Sequence, residues 1–496
     1  MALSKEVYSA LEDVVGPEYI CNDPVIMHSY HATEFAAVVL PENTAQVQAL
    51  IRLCNQHKLP FRPVCTGWTG KFAPGTLYLD LRRMNRIIEI NEKNMYAVVE
   101  PYVITAQLQA ELMKRGLHLN VKGAGSNCSA MLRGHGHLDQ TTSGDDRNHL
   151  AIEWVTPAGD IVRSGSLGSA DEWFCGDGPG PSLRGLVRGN VVTLGGLGVY
   201  TRAALKIYHW AGPPTMEVKG CSPDYVMQNP GNFMLRYLSW PDEDGRQAGI
   251  RALGESEIAF GIMGFNPNMV AGNMATSNEK ELVLAAKFSK EIVGPGFCVV
   301  IAGNSPRDFA YKKMVLEQII KDTKAASLKD VETGDAHDSF IWRFIRVTSS
   351  IRETMRATGV FGGEVFGTDS YLVLRNAVQH SRVDKQELID EGLVYPDNVD
   401  PFITSLEQGQ LAHSEVLLRW TPAPDVAAGA WKFVGKANQN TVDGHYGLPH
   451  HLFHDMQHDF FGPYATNYTY WLRRLKKSFD PNAVSEASNH LTAKGV

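Results

Sequence analysis

The sequence predicts an α+β protein of two or three domains. Three observations carry that prediction. The chain has 496 residues, too many for one compact core. Short strand and helix patterns alternate through the first two hundred residues. Between Ser126 and Lys206, two glycine clusters flank a hairpin pattern, which suggests backbone pressed close to a large ligand.

The elements follow in order. The segment to about Tyr30 reads as helical (Val7, Leu11, Val14, Val15), and Val38-Val39-Leu40 as a short strand. Pro41-Glu42-Asn43-Thr44 caps a helix with apolar Val47, Leu50, Ile51 and Cys54. Phe61–Val64, Leu77–Leu81, Ile87–Ile90 and Tyr96–Glu100 read as strands. Thr105 caps a further helix that Gly116 ends. Leu150 to Arg163 reads as strand, Pro/Gly turn, strand. Farther on, the periodicity predicts helices over Lys280–Ile292, Asp308–Lys324 and Val347–Thr358, and strands over Gly296–Ala302 and Glu415–Trp420. Gly261-Ile262-Met263-Gly264-Phe265-Asn266-Pro267 reads as a loop without an assigned place.

Composition excludes several classes. A net charge of −7 without a basic patch argues against nucleic acid as the main partner. No apolar run has membrane-spanning length, and Met1–Glu6 holds no apolar signal core, so the expected compartment is the cytoplasm. The seven cysteines are scattered and form no Cys-x-x-Cys pair, which argues against an iron–sulfur cluster, a zinc ribbon or a disulfide framework within the chain.

The glycine clusters carry the chemistry. Thr66-Gly67-Trp68-Thr69-Gly70 follows a strand and offers free N–H groups and hydroxyls, a donor set for a diphosphate. Ser126 to His137 with Gly144-Asp145 forms the second glycine loop, and Gly195-Gly196-Leu197-Gly198-Val199-Tyr200-Thr201 the third.

On these residues the segment Phe61 to Gly165 resembles the flavin-binding domain of the vanillyl-alcohol oxidase and para-cresol methylhydroxylase superfamily. Glycolate oxidase flavoprotein subunits, D-lactate dehydrogenases and alkyl-dihydroxyacetonephosphate synthase belong to it too. The resemblance rests on Leu79-Asp80-Leu81-Arg82-Arg83-Met84-Asn85-Arg86-Ile87 after a Gly/Thr loop, and on Val98-Val99-Glu100-Pro101 before a helix. It rests also on Arg133-Gly134-His135-Gly136, Gly144-Asp145 and the Ala158-Gly159-Asp160 hairpin, on Gly195 to Lys206, and on Leu475-Lys476-Lys477-Ser478-Phe479-Asp480-Pro481-Asn482.

The resemblance implies a PCMH-type FAD-binding domain over 1–210, a mixed α/β substrate or cap domain over 211–469, and a C-terminal helix over 470–496 that returns to the FAD domain. It implies FAD contacts from Thr66, Gly67, Trp68, Thr69, Gly70, Pro101, Ser126 and Cys128. Further contacts are expected from Arg133, Gly134, His135, Gly136, Gly144, Asp145, Gly195, Gly198, Val199 and Thr201. Arg133, His135, His137 and Asp145 are candidates to bond the flavin N1 or O2, or the substrate. The loop at 66–70 has no histidine, so covalent attachment through it is not expected. Relatives that oxidise phenols carry a Tyr-Arg pair before the last helix; here Tyr464 is followed by Ala465, leaving Arg473 or Arg343 to approach from elsewhere.

The stretch from Asp443 to Asp459 holds five histidines. The zinc motif of some D-lactate-type relatives is absent, with only His413 and Glu415 as a faint echo, and no metal is expected. Oxidation of an alcohol needs a base near the hydroxyl, and histidine suits that at neutral pH. The tight turn Asp443-Gly444 nominates His445 with Tyr446, Tyr464 orienting the substrate oxygen and His137 as the next candidate.

The expected activity is that of an FAD-dependent oxidoreductase, a dehydrogenase or oxidase, passing a hydride from a small hydroxy acid or aryl alcohol to flavin N5. Electrons would leave to an iron–sulfur or other electron-transfer partner subunit, or to oxygen, and a homo-oligomer is expected. Two alternatives stay open: oxidation of a para-substituted phenol through a quinone methide, and a non-redox flavin carrier enzyme like the ether-lipid synthase. A binding subunit without an active site is a third.

Overall fold

The structure, a computed structural model, describes residues 3–30, 34–66, 73–119, 127–131, 149–164, 172–173, 196–221, 224–294, 296–346, 356–359, 361–447, 449, 452, 454–487 and 491–496. Two sheets build the first domain.

The first sheet is entered through α1 (Lys5–Val15), whose N-cap Ser4 accepts a hydrogen bond from the Val7 N–H. β1 (Ile20–Cys21) and α2 (Pro24–Ser29) follow, so the segment to Tyr30 is broken where a continuous helix was expected. β2 (Ala37–Val39) leads into α3 (Thr44–His57), capped by Asn43, with Val47, Leu50, Ile51 and Cys54 buried as the spacing predicts. β3 (Phe61–Val64) and β4 (Leu77–Asp80) complete a sheet ordered β1-β2-β4-β3, in which β2, β4 and β3 run parallel.

β5 (Ile87–Asn91), β6 (Tyr96–Val99), α4 (Thr105–Met113), β7 (Leu117–Leu119), β8 (His149–Val155), β9 (Ile161–Arg163) and β10 (Val199–His209) make the second region. Its sheet is antiparallel, ordered β5-β6-β10-β8-β9, with β7 paired to the far end of β10. Thr105 is the first helical residue of α4 rather than its cap; its hydroxyl donates to the Cys128 carbonyl at 3.1 Å. Glu153 of β8 ties the two layers together, accepting from Thr44 Oγ1 at 2.7 Å and Thr201 Oγ1 at 3.0 Å.

The cap begins with the small hairpin β11 (Val218–Lys219) and β12 (Val226–Met227), then β13 (Phe233–Ser239), α5 (Glu243–Glu255), β14 (Ala259–Phe265), α6 (Pro267–Met274), α7 (Asn278–Glu291), β15 (Gly296–Ala302), α8 (Pro306–Thr323), β16 (Ala326–Ser327), α9 (Lys329–Glu332) and α10 (Gly334–Ile345). β17 (Phe361–Ser370), α11 (Tyr371–Asp390), β18 (Phe402–Leu406), β19 (Leu411–Arg419) and α12 (Pro424–Asp443) close it. The helix expected over Val347–Thr358 falls largely outside the described residues.

Residues 259–265, read from sequence within a loop, form β14 instead. Every one of its residues is buried, so no polar alternation betrays it. Its glycine has a packing reason: a Cβ on Gly264 would stand 2.2 Å from the Ile403 carbonyl oxygen of β18. The sheets β14-β15-β13-β16 and β17-β19-β18 therefore abut edge to edge.

Period-two alternation gives this surface two faces. Cys298, Val300 and Ala302 of β15, with Phe402 of β18, join a cluster built with α6, α7 and α10 that reaches the first domain at Met113 of α4 and Trp210 after β10. Phe297, Val299 and Ile301, with Ala412, Val416 and Leu418 of β19, pack on the far face under α5, α8, α11 and α12.

The chain ends with α13 (His454–Phe461), a 3-10 turn (Gly462–Tyr464) and α14 (Tyr468–Phe479). Phe479 packs its ring 5.1 Å from Trp154 of β8. Val484 to Glu486 then lies along β3: Phe61 N–H donates to Val484 O at 2.8 Å and Glu486 N–H to Phe61 O at 2.9 Å.

Candidate functional site

Parallel strands of a sheet present their carboxyl ends to ligands. At the end of β3, Cys65 hydrogen-bonds to the Ser129 side chain, and burial pushes its thiol up. The Ser129 hydroxyl donates to Pro101 O at 2.6 Å, and Ala130 N–H to Val103 O at 2.7 Å. His149 Nε2 stands 3.0 Å from Met131 O, which joins the start of β8 to this segment. Trp154 Nε1 donates to Leu197 O at 2.6 Å, and Leu197 shares a cluster with Met131. The ends of the three glycine-bearing segments thus meet at the seam between the two sheets.

Gly67, Trp68, Thr69, Gly70, Ser126, Arg133, Gly134, His135, Gly136, His137, Gly144, Asp145 and Gly195 lie outside the described residues. Of the other cofactor candidates, Thr66 is half-buried at the seam, and Pro101 and Cys128 are buried and accept hydrogen bonds through their carbonyls. Val199 pairs with Val155.

Gly198 and Thr201 have local partners that the sequence did not reveal. Gly198 has φ +84°, and a Cβ there would stand 2.2 Å from the Val155 carbonyl oxygen, so the protein's own backbone requires this glycine. Its N–H donates to Ser485 Oγ at 2.9 Å. The Thr201 hydroxyl faces Glu153.

The described residues are compatible with a doubly charged diphosphate: Thr66 follows β3 here, and Asp80, the carboxylate that acts on Cys65, is already satisfied. Asp80 Oδ1 accepts from Arg82 N–H at 3.0 Å, and Oδ2 from the Tyr30 hydroxyl at 2.8 Å and Arg82 Nε at 2.7 Å.

A second group stands on the cap. Along β19, Ala412, Val416 and Leu418 lie on the far face, so His413, Glu415, Leu417 and Arg419 lie on the opposite face, which α6 and α7 also cover. Leu417 packs against the cluster on that face. The Glu415 side chain is 26% exposed, and burial pushes its carboxyl up to about 7. His413 is 1% exposed, with Nε2 4.0 Å from Glu415 Oε2. Arg419 is held by Glu281 (2.9 Å) and Asp397 (2.8 Å), beside a cavity of about 20 Å³ that has room for one water. Arg419 is thereby committed to anchoring the strand end.

His445 and Tyr446, nominated from sequence, belong to a helix end. His445 has φ 53° and donates its N–H to Val442 O at 3.2 Å; Tyr446 N–H donates to Thr441 O at 3.0 Å. The two residues terminate α12 in the manner of a Schellman motif. Tyr446 packs 5.6 Å from the His380 ring of α11, in the cluster on the far face of the cap sheet. His445 is exposed. In the structure the pair has this helix-ending role.

Tyr464 is 62% exposed, with the Phe460 ring 6.3 Å away. Arg473 is paired with Asp455 and Asp459, and Arg343 donates to Asn273 O. In the histidine-rich stretch, His458 is buried and held down to about 4 by desolvation. Among the described residues, no group of three His, Cys, Asp or Glu side chains could hold a metal. Glu415 was not nominated as a base from sequence; the available signal was a carboxylate directly before the apolar run Val416-Leu417-Leu418.

Residues 35–165 match the family described as "FAD binding domain". The chain is 30% identical over 228 residues to the 1'-carboxy-chondrochloren decarboxylase of Chondromyces crocatus, covering 41% of this chain and 40% of that one. It is 30% identical over 224 residues to glycolate oxidase subunit GlcD of Bacillus subtilis (41% and 45%). It is 32% identical over 167 residues to the 4-cresol dehydrogenase [hydroxylating] flavoprotein subunit of Pseudomonas putida (30% and 32%). The matches thus span less than half the length of these curated relatives. In fold, it superimposes on p-cresol methylhydroxylase with a TM-score of 0.72 at 15% identity, covering 97% of this chain and 96% of that one. An alkyldihydroxyacetonephosphate synthase gives a TM-score of 0.65 at 14% identity, with coverage of 97% and 84%.

Proposed function

We propose that this chain is a member of the vanillyl-alcohol oxidase and para-cresol methylhydroxylase superfamily and an FAD-dependent oxidoreductase acting on a small hydroxylated substrate, a reading supported by its FAD binding domain match, its relatives and its fold. A hydroxy acid or an aryl alcohol fits best. The bound flavin supplies a two-electron acceptor. Thr66–Gly70, Ser126–Gly136 with Gly144 and Asp145, and Gly195–Thr201 would hold it.

The observation that carries the reading is Glu415, a carboxyl near neutral pKa on the cap-sheet face whose apolar cluster reaches Met113 and Trp210. Its carboxylate takes the hydroxyl proton of the substrate. A base with a pKa near the working pH combines a populated basic form with a strong proton affinity. The apolar side chains around it limit water, and His413 borders it on the same strand. This assignment replaces His445 and Tyr446 and leaves His137 as a second candidate from the FAD domain.

Oxidation of a para-substituted phenol also begins by loss of a hydroxyl proton, so the same base serves that alternative. The electron acceptor is a partner subunit or oxygen. A partner is favoured because two of the relatives are themselves named as subunits. Timing flavin re-oxidation in air separates the two: re-oxidation within one turnover means an oxidase. The reading as a whole is tested by anaerobic flavin bleaching with hydroxy acids, aryl alcohols and para-alkyl phenols in turn.

A further inference from the structure

Lys476 is a buried lysine on α14, 3% exposed, and it spends all three of its donors on the protein. Its Nζ donates to Gly196 O at 2.6 Å, Asp480 Oδ2 at 2.6 Å and Ser485 O at 2.7 Å. Burying an ammonium is costly unless it is paired and fully hydrogen-bonded. Here one carboxylate neutralises it and two carbonyls complete its shell. One of those carbonyls belongs to the third glycine loop. Two residues on, Gly198 N–H donates to the hydroxyl of Ser485, whose own carbonyl Lys476 holds. Asp480 closes the knot, accepting from Val484 N–H at 2.9 Å and Ser485 N–H at 3.1 Å.

The same segment grips the first glycine loop from the other side. Val484 to Glu486 adds to the outer edge of β3, the strand that runs directly into residues 65–70. Arg62 of β3 and Glu486 form a buried ion pair at 3.0 Å. Ser485 thus touches β3 through its backbone and the Gly196–Gly198 turn through its hydroxyl. These loops come from opposite ends of the domain's sequence, and both sheets end at them.

We infer that the C-terminal segment 476–486 is a clamp that fixes the two glycine loops relative to each other, with Lys476 and Ser485 as positioning residues for FAD. The inference rests on the assignment of Thr66–Gly70 and Gly195–Thr201 as cofactor loops. Neither side chain needs to touch the cofactor. Loosening the clamp lets the loops separate, and the cofactor leaves more readily while the sheets stay folded.

The test uses the full FAD-loaded protein with Ser485→Ala, Ser485→Thr and the charge-balanced pair Lys476→Met with Asp480→Asn. Flavin release is followed by the fluorescence of free FAD, and folding by circular dichroism in excess FAD. The expected result is release roughly tenfold faster in Ser485→Ala and in the Lys476/Asp480 pair, the scale of one lost hydrogen bond. Ser485→Thr, which keeps the hydroxyl, restores slow release, and the unfolding midpoints stay near wild type. Wild-type release rates in Ser485→Ala and in the pair overturn the clamp. So does release that quickens only in step with loss of circular dichroism. A wild-type protein that takes up no FAD overturns the cofactor assignment as well, so the two failures are distinguishable.

Discussion

On β19 the Oε2 of Glu415 lies 4.0 Å from the Nε2 of His413, and both side chains leave the strand on the same face. Among the described residues, burial is the cause that raises the Glu415 carboxyl to about 7. Flavin reduction by substrate is therefore expected to speed up as pH rises toward 7 and to level off above it, because only the ionised carboxyl accepts a proton. Stopped-flow reduction across pH 5 to 9 checks this. Glu415→Gln should flatten the rise; a rise that persists in that variant assigns it to another group.

The same shift has a stability consequence. Between the ordinary carboxyl value of 4.5 and about 7, the folded chain keeps a proton that the unfolded chain has released. Raising pH through that window therefore lowers stability, and the loss is complete above about 7. Glu415→Gln is expected to gain unfolding temperature relative to wild type at pH 8 and to gain little at pH 5. Thermal melts at both values decide it.

Gly198→Val is expected to destabilise the protein by about 1–3 kcal/mol from backbone strain alone. The added clash with Val155 O and displacement of the turn from Ser485 should leave it poor in flavin. Gly198→Ala should show the same direction, because a Cβ already meets the backbone. Denaturant midpoints and flavin content of the purified variants measure both effects; wild-type values in both variants contradict the packing described for this turn.

Glu486→Gln leaves Arg62 buried without its counter-charge, at a cost of roughly 3–5 kcal/mol. The double substitution Arg62→Met with Glu486→Leu should recover most of it, since no charge is then stranded. Urea unfolding of the single and double variants tests the pairing; equal stability of both variants contradicts it.

The sequence exposed what local patterns encode. Gly296–Ala302 is a strand with those same ends, and the helix predicted over Asp308–Lys324 runs Pro306–Thr323, because apolar spacing and Ser-Pro or Gly-Pro punctuation are local signals. β14 escaped because a strand buried on both faces shows no alternation, and its glycines, one of them set by the approach of Ile403, imitate a turn. Asp-Gly before His445 reads as a tight turn, and the structure makes it the end of α12, whose packing of Tyr446 on His380 depends on residues distant in sequence. Glu415 was hidden likewise: its strand was visible, but the burial that raises its carboxyl depends on elements distant in sequence. The glycine loops announced a ligand, whereas the local partners of Gly198 and Thr201, Ser485 and Glu153, come from other strands and from the far end of the chain.

The central claim is that this chain oxidises a small hydroxylated substrate with FAD and uses Glu415 as the proton acceptor. The most direct measurement is the rate of anaerobic flavin bleaching in wild type and Glu415→Gln with hydroxy acids, aryl alcohols and para-alkyl phenols. The account predicts a yellow protein that bleaches with at least one of these classes, and a variant that stays yellow but bleaches roughly a hundredfold more slowly. A wild type that no class bleaches, or a variant that bleaches at the wild-type rate, would contradict it.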